Sequence, residues 1–281
     1  MALLVRLALM LGALSPRLKR LLWRRWYQYL AGYTLSEWRF MNYGYASLDP
    51  GEEPVVLSPD DEPDRYAIHL YHRVARAVAL AGREVLEVGC GRGGGSSFVK
   101  RYHHPGQMTG VDFSPKAVRF CQQNHCVAGL SFVHGDAEAL PFGDESFDAV
   151  INVESSHCYG SMPAFLREVK RVLRPGGHFL FADLRAAEDR DRLHGLVAET
   201  GMAILEKEDV TPNVLEALRQ DSGRKLDLIQ RSVNKHLVGA FQEFAAIEGS
   251  GVFEGFRNGT SIYLRYALQK QNSLPGRRDA Q

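Results

Sequence analysis

Residues 84–95, Glu-Val-Leu-Glu-Val-Gly-Cys-Gly-Arg-Gly-Gly-Gly, constrain this chain more than any other stretch. An apolar strand pattern (Val85, Leu86, Val88) runs into five glycines within seven residues, with Glu87 at the strand's end. Glycine adopts positive φ freely and carries no Cβ, so the backbone here can turn sharply and approach a ligand closely. Residues 96–100 read as the start of a helix, whose first N–H groups have no intrahelical partner and face the turn. Strand, glycine turn and helix in that order make a nucleotide-type pocket, but dinucleotide enzymes share the arrangement. The rest of the chain has to choose the nucleotide.

After residues 66–80, which carry Ile68, Tyr71, His72, Ala75 and Val78 near helical spacing, strands and helices alternate. Strands are expected at 84–88, at 107–111 ending on Asp112, at 130–133, at 147–153 and at 178–182 ending on Asp183. Ser114-Pro115 caps and opens one intervening helix. Residues 163–173 form another, closed by Arg174-Pro175-Gly176-Gly177. This alternation predicts an α/β fold with a parallel sheet and helices on both faces. Ligands on such sheets bind at the carboxyl ends of the strands, where Glu87, Asp112, Asp136, residues 152–157 and Asp183 all fall. Residues 186–239 are polar and read as helices inserted after the fifth strand, a lid over 186–240. Residues 241–248 and 260–269 read as two further strands, joined by glycine-rich turns.

The flanks have a different character. Residues 1–14 are almost wholly apolar, yet shorter than the roughly 20 residues a spanning helix needs. They are followed by a basic, aromatic stretch rather than a cleavage site, which argues against secretion. Leu18, Leu21, Leu22, Trp26 and Tyr29 share one helical face, and the first thirty residues carry six basic side chains and no acidic one. Three readings stay open for this helical arm: peripheral membrane contact through residues 1–30, packing on its own domain, or homo-oligomer contact. Tyr33, Trp38, Phe40, Tyr43 and Tyr45 form an aromatic cap, completing a segment 1–48. Such rings can wall an apolar pocket or simply pack. Residues 49–65 hold four prolines and seven acidic residues, the marks of a linker. The main domain then spans 66–270, with a polar tail at 271–281.

Composition narrows the partners. Lys plus Arg total 34 against 33 for Asp plus Glu, so overall charge gives no case for nucleic acid. Cys90, Cys121, Cys126 and Cys158 form no Cys-x-x-Cys pair. No metal site or disulfide framework is indicated, and reduced cysteines fit a cytoplasmic protein, with membrane association left open.

Two carboxylates choose the nucleotide. Asp112 lies 21 residues after Gly91 at the end of the second strand, where it can accept hydrogen bonds from both hydroxyls of a ribose. Asp136, followed by the small Ala137, can take the exocyclic amine of adenine and leave room for its ring. The order Glu-x-Gly-x-Gly-x-Gly, Gly-x-Asp-Phe-Ser, Gly-Asp-Ala-Glu-x-Leu-Pro-Phe, Ser-Phe-Asp-x-Val and Arg-Val-Leu-Arg-Pro-Gly-Gly resembles class I S-adenosylmethionine-dependent methyltransferases over about residues 84–183. Asn42-Tyr43-Gly44-Tyr45, His69-Leu70-Tyr71-His72-Arg73, Gly93-Gly94-Gly95 and residues 152–159 resemble more closely the phthiotriolone-type methyltransferases of mycobacterial lipid biosynthesis and their relatives in secondary metabolism.

The resemblance implies a Rossmann-like fold with a seven-stranded, mostly parallel sheet, S-adenosylmethionine as cofactor, and a small-molecule or lipid-like acceptor. It implies that Glu87, Gly89, Gly91 and Gly93 cradle the methionine moiety and ribose. Asp112 would hold the ribose, Phe113 would lie beside the adenine, Asp136 and Ala137 would read it, and Asn152 would sit under the sulfonium side. For transfer to a hydroxyl, His157 is the candidate base and Glu154 the second, both just past the fourth strand. Tyr33, Tyr43, Tyr45 and Tyr159 are candidates to wall the acceptor. Oxygen is the expected methyl acceptor. Carbon of an alkene, with aromatic walls doing the work of a base, is the alternative, and a non-catalytic cofactor-binding subunit is the reading from another class.

Overall fold

A computed structural model describes residues 38–272; the arm within residues 1–30, Tyr33 and residues 273–281 lie outside them. Seven strands form one sheet: β1 (Glu84–Val88), β2 (Gln107–Asp112), β3 (Leu130–His134), β4 (Phe147–Val153), β5 (Leu173–Ala186), β6 (Ala203–Asp209) and β7 (Ser261–Gln269). Their order is β3-β2-β1-β4-β5-β7-β6. The pairs among β1 to β5 are parallel, and β7 runs antiparallel to both β5 and β6. The expected mostly parallel, seven-stranded sheet is therefore present. The chain works outward from β1 to β3 and then returns to the other side of β1, so the carboxyl ends of β1 and β4 flank the switch point where such sheets open a crevice.

Strand alternation distributes the core. Val85 of β1 and Leu180 of β5 face α1 (Arg65–Ala75) and α2 (Gly94–Tyr102), where Ile68, Leu70, Val74 and Phe98 are buried. Leu86, Phe179 and Phe181 face α4 (Met162–Val172) and α5 (Arg190–Glu199), against Phe165, Val169 and Val197. Each fully buried Phe or Leu of these layers contributes about 1.5–3 kcal/mol of apolar transfer. Between β2 and β3, α3 (Pro115–Asn124) opens as its sequence requires: the Ala117 N–H donates to Ser114 Oγ at 3.2 Å, with Pro115 at the first position. No helix among the described residues is long and apolar enough to cross a membrane.

The carboxyl-terminal third departs from the expected pattern. Residues 203–209, read as helical, form edge strand β6, and residues 241–248, read as a strand, begin in helix α7 (Val238–Phe244) and continue as turns. The reason for β6 is its partner. Arg265 of β7, 1% exposed, is met by Glu206 at 2.5 Å and Glu208 at 3.3 Å, carboxylates two residues apart on one face of a strand. The edge position leaves Ile204 and Leu205 about half exposed, which erases the apolar alternation. In α7, Phe241 is buried against Trp38 at 5.8 Å, and that contact selects helix for a run whose periodicity is ambiguous. Two further helices complete this region, α6 (Thr211–Ser232) and α8 (Gly251–Arg257).

The acidic segment before α1 does more than link. Asp61, 1% exposed, accepts from Arg39 at 3.2 Å, from Arg101 of α2 at 2.5 Å, from the Tyr102 hydroxyl at 2.8 Å and from Ser58 Oγ at 3.0 Å. Burial alone would raise its carboxyl, but these donors overcome it and hold the pKa at about 2. A depressed carboxyl contributes stability above its unfolded pKa and loses it as pH falls through the folded one. Asp61→Ala is expected to lower unfolding stability by about 1–3 kcal/mol at neutral pH, measured by urea titration. The gap between variant and parent should shrink as pH falls from about 4 toward the folded value.

Candidate active site

The turn after β1 has backbone N–H groups that no helix or sheet ladder can use. The carboxyl end of β2 takes them. Gly89 and Cys90 donate to the Val111 carbonyl at 2.8 and 3.1 Å, and Gly91 donates to Asp112 Oδ2 at 2.9 Å. The other carboxylate oxygen of Asp112 accepts from the Ser114 N–H at 2.8 Å. Burial pushes the Asp112 pKa up to about 6, and the two N–H donors limit the rise. Each oxygen keeps a further lone pair, so the carboxylate can still accept from ribose hydroxyls. Gly89, Gly91 and Gly93 all have positive φ, at 76°, 53° and 78°. A Cβ on Gly89 would stand 2.1 Å from Ser155 Oγ, and one on Gly91 2.5 Å from Met41 Cε.

Glu87 lies under this turn. It is fully buried and accepts from the Tyr71 hydroxyl of α1 at 2.6 Å and from Ser96 Oγ of α2. Burial pushes its pKa up while both hydroxyls pull the other way. Tyr71, rather than Glu87, reaches the wall of the cavity that opens beside the turn. That cavity holds about 330 Å³ of empty space and is lined among others by Gly89, Gly91, Met41, Val153 and Glu154. The glycine cradle, which side chains would fill, and the Asp112 carboxylate held beside it fit the adenosyl part of S-adenosylmethionine.

A strap, residues 38–43, crosses the mouth of the turn. Gly94 N–H donates to Arg39 O at 3.2 Å, and the Arg92 guanidinium donates to Trp38 O. Beyond the strap, a larger cavity of about 730 Å³, counted to its open mouth, lies between it and α6 and α7. Trp38, Leu228, Ile229, Val233 and Phe241 give it apolar walls, and Phe40, Met41 and Asn42 belong to both cavities.

Polar groups gather past the end of β4, where Glu154 lines the smaller cavity; His157 and Asp183 line neither cavity. Glu154, at φ 48°, accepts on Oε2 from the Tyr43 N–H at 2.9 Å and the Tyr263 hydroxyl at 3.0 Å. Burial pushes its pKa up to about 8. His157 stands on a single 3-10 turn, Ser156–Cys158. Its Nδ1–H donates to Asp183 Oδ1 at 2.8 Å and its backbone N–H to Asp183 Oδ2 at 2.9 Å. Asp183 is fully buried and also accepts from Ser156 Oγ at 2.6 Å, with Arg185 at 3.1 Å. Burial opposes the charge of both partners, but the His157 and Arg185 cations hold Asp183 well below the carboxylate range. In turn, the Cys158 sulfur and the Asp183 carboxylate raise His157 despite its burial. Nδ1 is committed to Asp183, and the ring also bonds the Cys158 side chain.

The remaining candidates divide. Phe113 sits at the end of β2 with its ring 6.4 Å from that of His134. Asp136, at the end of β3, accepts the Glu138 N–H at 3.0 Å, and Ala137 is half-buried beside it. Asn152 is fully buried and braces the turn from below, donating to Val88 O, Ser155 Oγ and the Tyr159 hydroxyl at 2.8, 2.9 and 3.0 Å. Tyr159 belongs to that brace, with its ring against Phe165 at 4.9 Å. Tyr43 lines the larger cavity; Tyr45 is buried with its N–H on Tyr66 O and lines neither. Among the described residues, no group of three or more potential ligands could hold a metal. Tyr263 and Met41 carried no signal, since each joins the site over a long sequence separation. Asp183 did carry one, its place at a strand's carboxyl end. Gly89→Ala is expected to weaken S-adenosylhomocysteine binding at least about tenfold in calorimetry, because Cβ both strains the turn and strikes Ser155. The circular dichroism spectrum should not change.

Comparison with known proteins agrees with this geometry. Residues 86–181 match the methyltransferase domain family. The chain is 40% identical to the phthiotriol/phenolphthiotriol dimycocerosates methyltransferase of Mycobacterium leprae over 249 residues, covering 88% of this chain and 92% of the relative. It is 39% identical to the fatty-acid O-methyltransferase of Mycolicibacterium smegmatis, covering 82% and 83%. Among solved structures, geranyl diphosphate C-methyltransferase from Streptomyces coelicolor superposes with a TM-score of 0.60 at 17% identity, over 87% of this chain and 97% of that one, a likeness of fold. The chain therefore belongs to the class I S-adenosylmethionine-dependent methyltransferases, within the family of the phthiotriol/phenolphthiotriol dimycocerosates methyltransferases.

Proposed function

We propose that the protein transfers a methyl group to a hydroxyl of a long, largely apolar lipid or natural-product acceptor, with His157 as general base. The observation that carries this reading is the His157–Asp183 pair, bonded at 2.8 Å three residues past Glu154, which lines the cofactor cavity. The names of the relatives support a lipid acceptor and, for one of them, methylation at oxygen.

When bound, S-adenosylmethionine supplies an activated methyl on a positively charged sulfur. The chain's own contribution is then positioning and proton handling. The glycine turn, Asp112 and Asp136 hold the adenosyl end, and Tyr71 and Glu154 border the methionine end. Glu154 acts as a positioning residue: it fixes the strap through the Tyr43 N–H and fixes Tyr263 through its hydroxyl. The apolar walls exclude water and align the acceptor, with α6 and α7 serving as the lid over its chain. His157 Nε2 takes the hydroxyl proton, while Asp183 holds the ring and stabilises the imidazolium that forms.

The pH dependence follows from the sign of the shift. An imidazole with a raised pKa is still protonated at neutral pH, and only its neutral form is a base. Activity should therefore climb as pH rises into the alkaline range. His157→Ala is expected to lower kcat by about 10²–10⁴-fold and remove that climb. Asp183→Asn removes the anion that holds the proton, so the climb should move to lower pH while its plateau falls. Both are read from pH–rate profiles with a long-chain hydroxyl acceptor. A pH-independent kcat that survives His157→Ala would favour methylation at carbon, for which the aromatic wall of Trp38, Phe241 and Phe244 is suited.

A further inference from the structure

Glu154 lines the smaller cavity and engages the protein through one of its two oxygens. Its backbone N–H donates to Ala182 O at 2.8 Å, which pins the residue at φ 48°, a conformation that residues other than glycine seldom adopt. Oε2 accepts from the Tyr43 N–H and the Tyr263 hydroxyl, at 2.9 and 3.0 Å. Oε1 accepts no hydrogen bond from the described residues and is not among their sealed polar atoms. The side chain is half-buried, so Oε1 is the oxygen left for a ligand in that cavity. The titratable groups around it are Tyr43 on the strap, Tyr71 of α1, His157, Asp183 of β5, Lys225 of α6 and Tyr263 of β7. The His157 ring is held by Asp183, and Lys225 stands 3.6 Å from Asp221. Neither cation forms an ion pair with Glu154 among the described residues. A carboxylate removed from water without a cation of its own holds its proton, and burial here pushes the Glu154 pKa up to about 8.

We propose that Glu154 is a specificity-determining residue whose Oε1 serves as counter-ion to the positive sulfur of S-adenosylmethionine, so that the site distinguishes the methyl donor from its product. The proposal rests on the reading of the smaller cavity as the cofactor site. Donor and product share the adenosyl group, the carboxylate and the α-ammonium. They differ only in the methyl group and in the charge on sulfur. A cation brought beside a carboxyl favours its ionised form. Binding of the donor therefore releases a proton from Glu154 to solvent at neutral pH, and binding of the product, whose sulfur is neutral, does not. By the same linkage, affinity for the donor climbs with pH until the free carboxyl has ionised, near about pH 8, and is level above that. After methyl transfer the attraction is gone, and only the contacts common to both ligands remain.

Calorimetry of the full chain with each ligand, in two buffers of different ionisation enthalpy, counts these protons without turnover. Near pH 7, S-adenosylmethionine should release about one proton more than S-adenosylhomocysteine. Glu154→Gln keeps an acceptor oxygen for the Tyr43 N–H and loses the charge. It should abolish that difference. At about pH 8.5 it should weaken S-adenosylmethionine about tenfold or more and leave S-adenosylhomocysteine within about threefold. Sinefungin, which carries an ammonium in place of the S-methyl group, should follow S-adenosylmethionine. The proton count on the parent protein needs no variant, and it serves if the glutamine variant melts early. Equal proton release by donor and product, or equal weakening of both by Glu154→Gln, overturns the proposal and assigns Oε1 to groups the two ligands share. Binding of neither ligand overturns the cofactor reading of the cavity, and the proposal with it.

Discussion

The backbone N–H groups that follow β1 must find acceptors, and the arrangement of the site follows from where they go. Val111 and Asp112 supply the oxygens, so the glycine turn is tied to the carboxyl end of β2 rather than to its own helix. The tie requires positive φ at alternate positions, which is why glycine recurs at 89, 91 and 93. It also holds the Asp112 carboxylate against the turn. Below the turn, Glu87 gathers Tyr71 and Ser96, and Asn152 gathers Ser155 and Tyr159. Residues from α1, α2 and the loop after β4 therefore stand in register with the turn.

That part of the molecule was legible because its constraints are local. Glu87, the glycines, Asp112 and Ser114-Pro115 lie within twenty-eight positions of one another and announce strand, turn, strand and cap by residue type alone. The rest depends on partners distant in sequence. Glu154 meets Tyr43 and Tyr263 across 111 and 109 residues. Edge strand β6 exists because β7 offers it a ladder and a buried Arg265, neither visible within residues 203–209. The run beginning at Phe241 looked strand-like because a short apolar stretch carries no decisive period, and only the cavity wall it builds with α6 makes it helical. His157 was visible as a candidate, but its raised basicity comes from the neighbouring Cys158 sulfur together with Asp183, 26 positions away on β5.

The strap joins these two halves. Through Arg39 it is clamped to Asp61 and Asp64, through Arg39 O to the helix that begins at Gly94, and through the Tyr43 N–H to Glu154. It lines both cavities, which therefore share one segment of backbone. The aromatic residues of this segment, readable as either packing or pocket wall, do both: Tyr43 packs on Phe256 at 5.7 Å and lines the larger cavity.

Amide hydrogen exchange of the full chain with and without S-adenosylhomocysteine tests most directly whether the turn tied to β2 is the cofactor cradle. The amides of residues 89–94, 112–114 and 136–138 should exchange more slowly with the ligand bound, together with those of the strap at 39–43. Unchanged exchange at these positions, or slowing there with a nicotinamide dinucleotide and not with S-adenosylhomocysteine, would contradict the assignment.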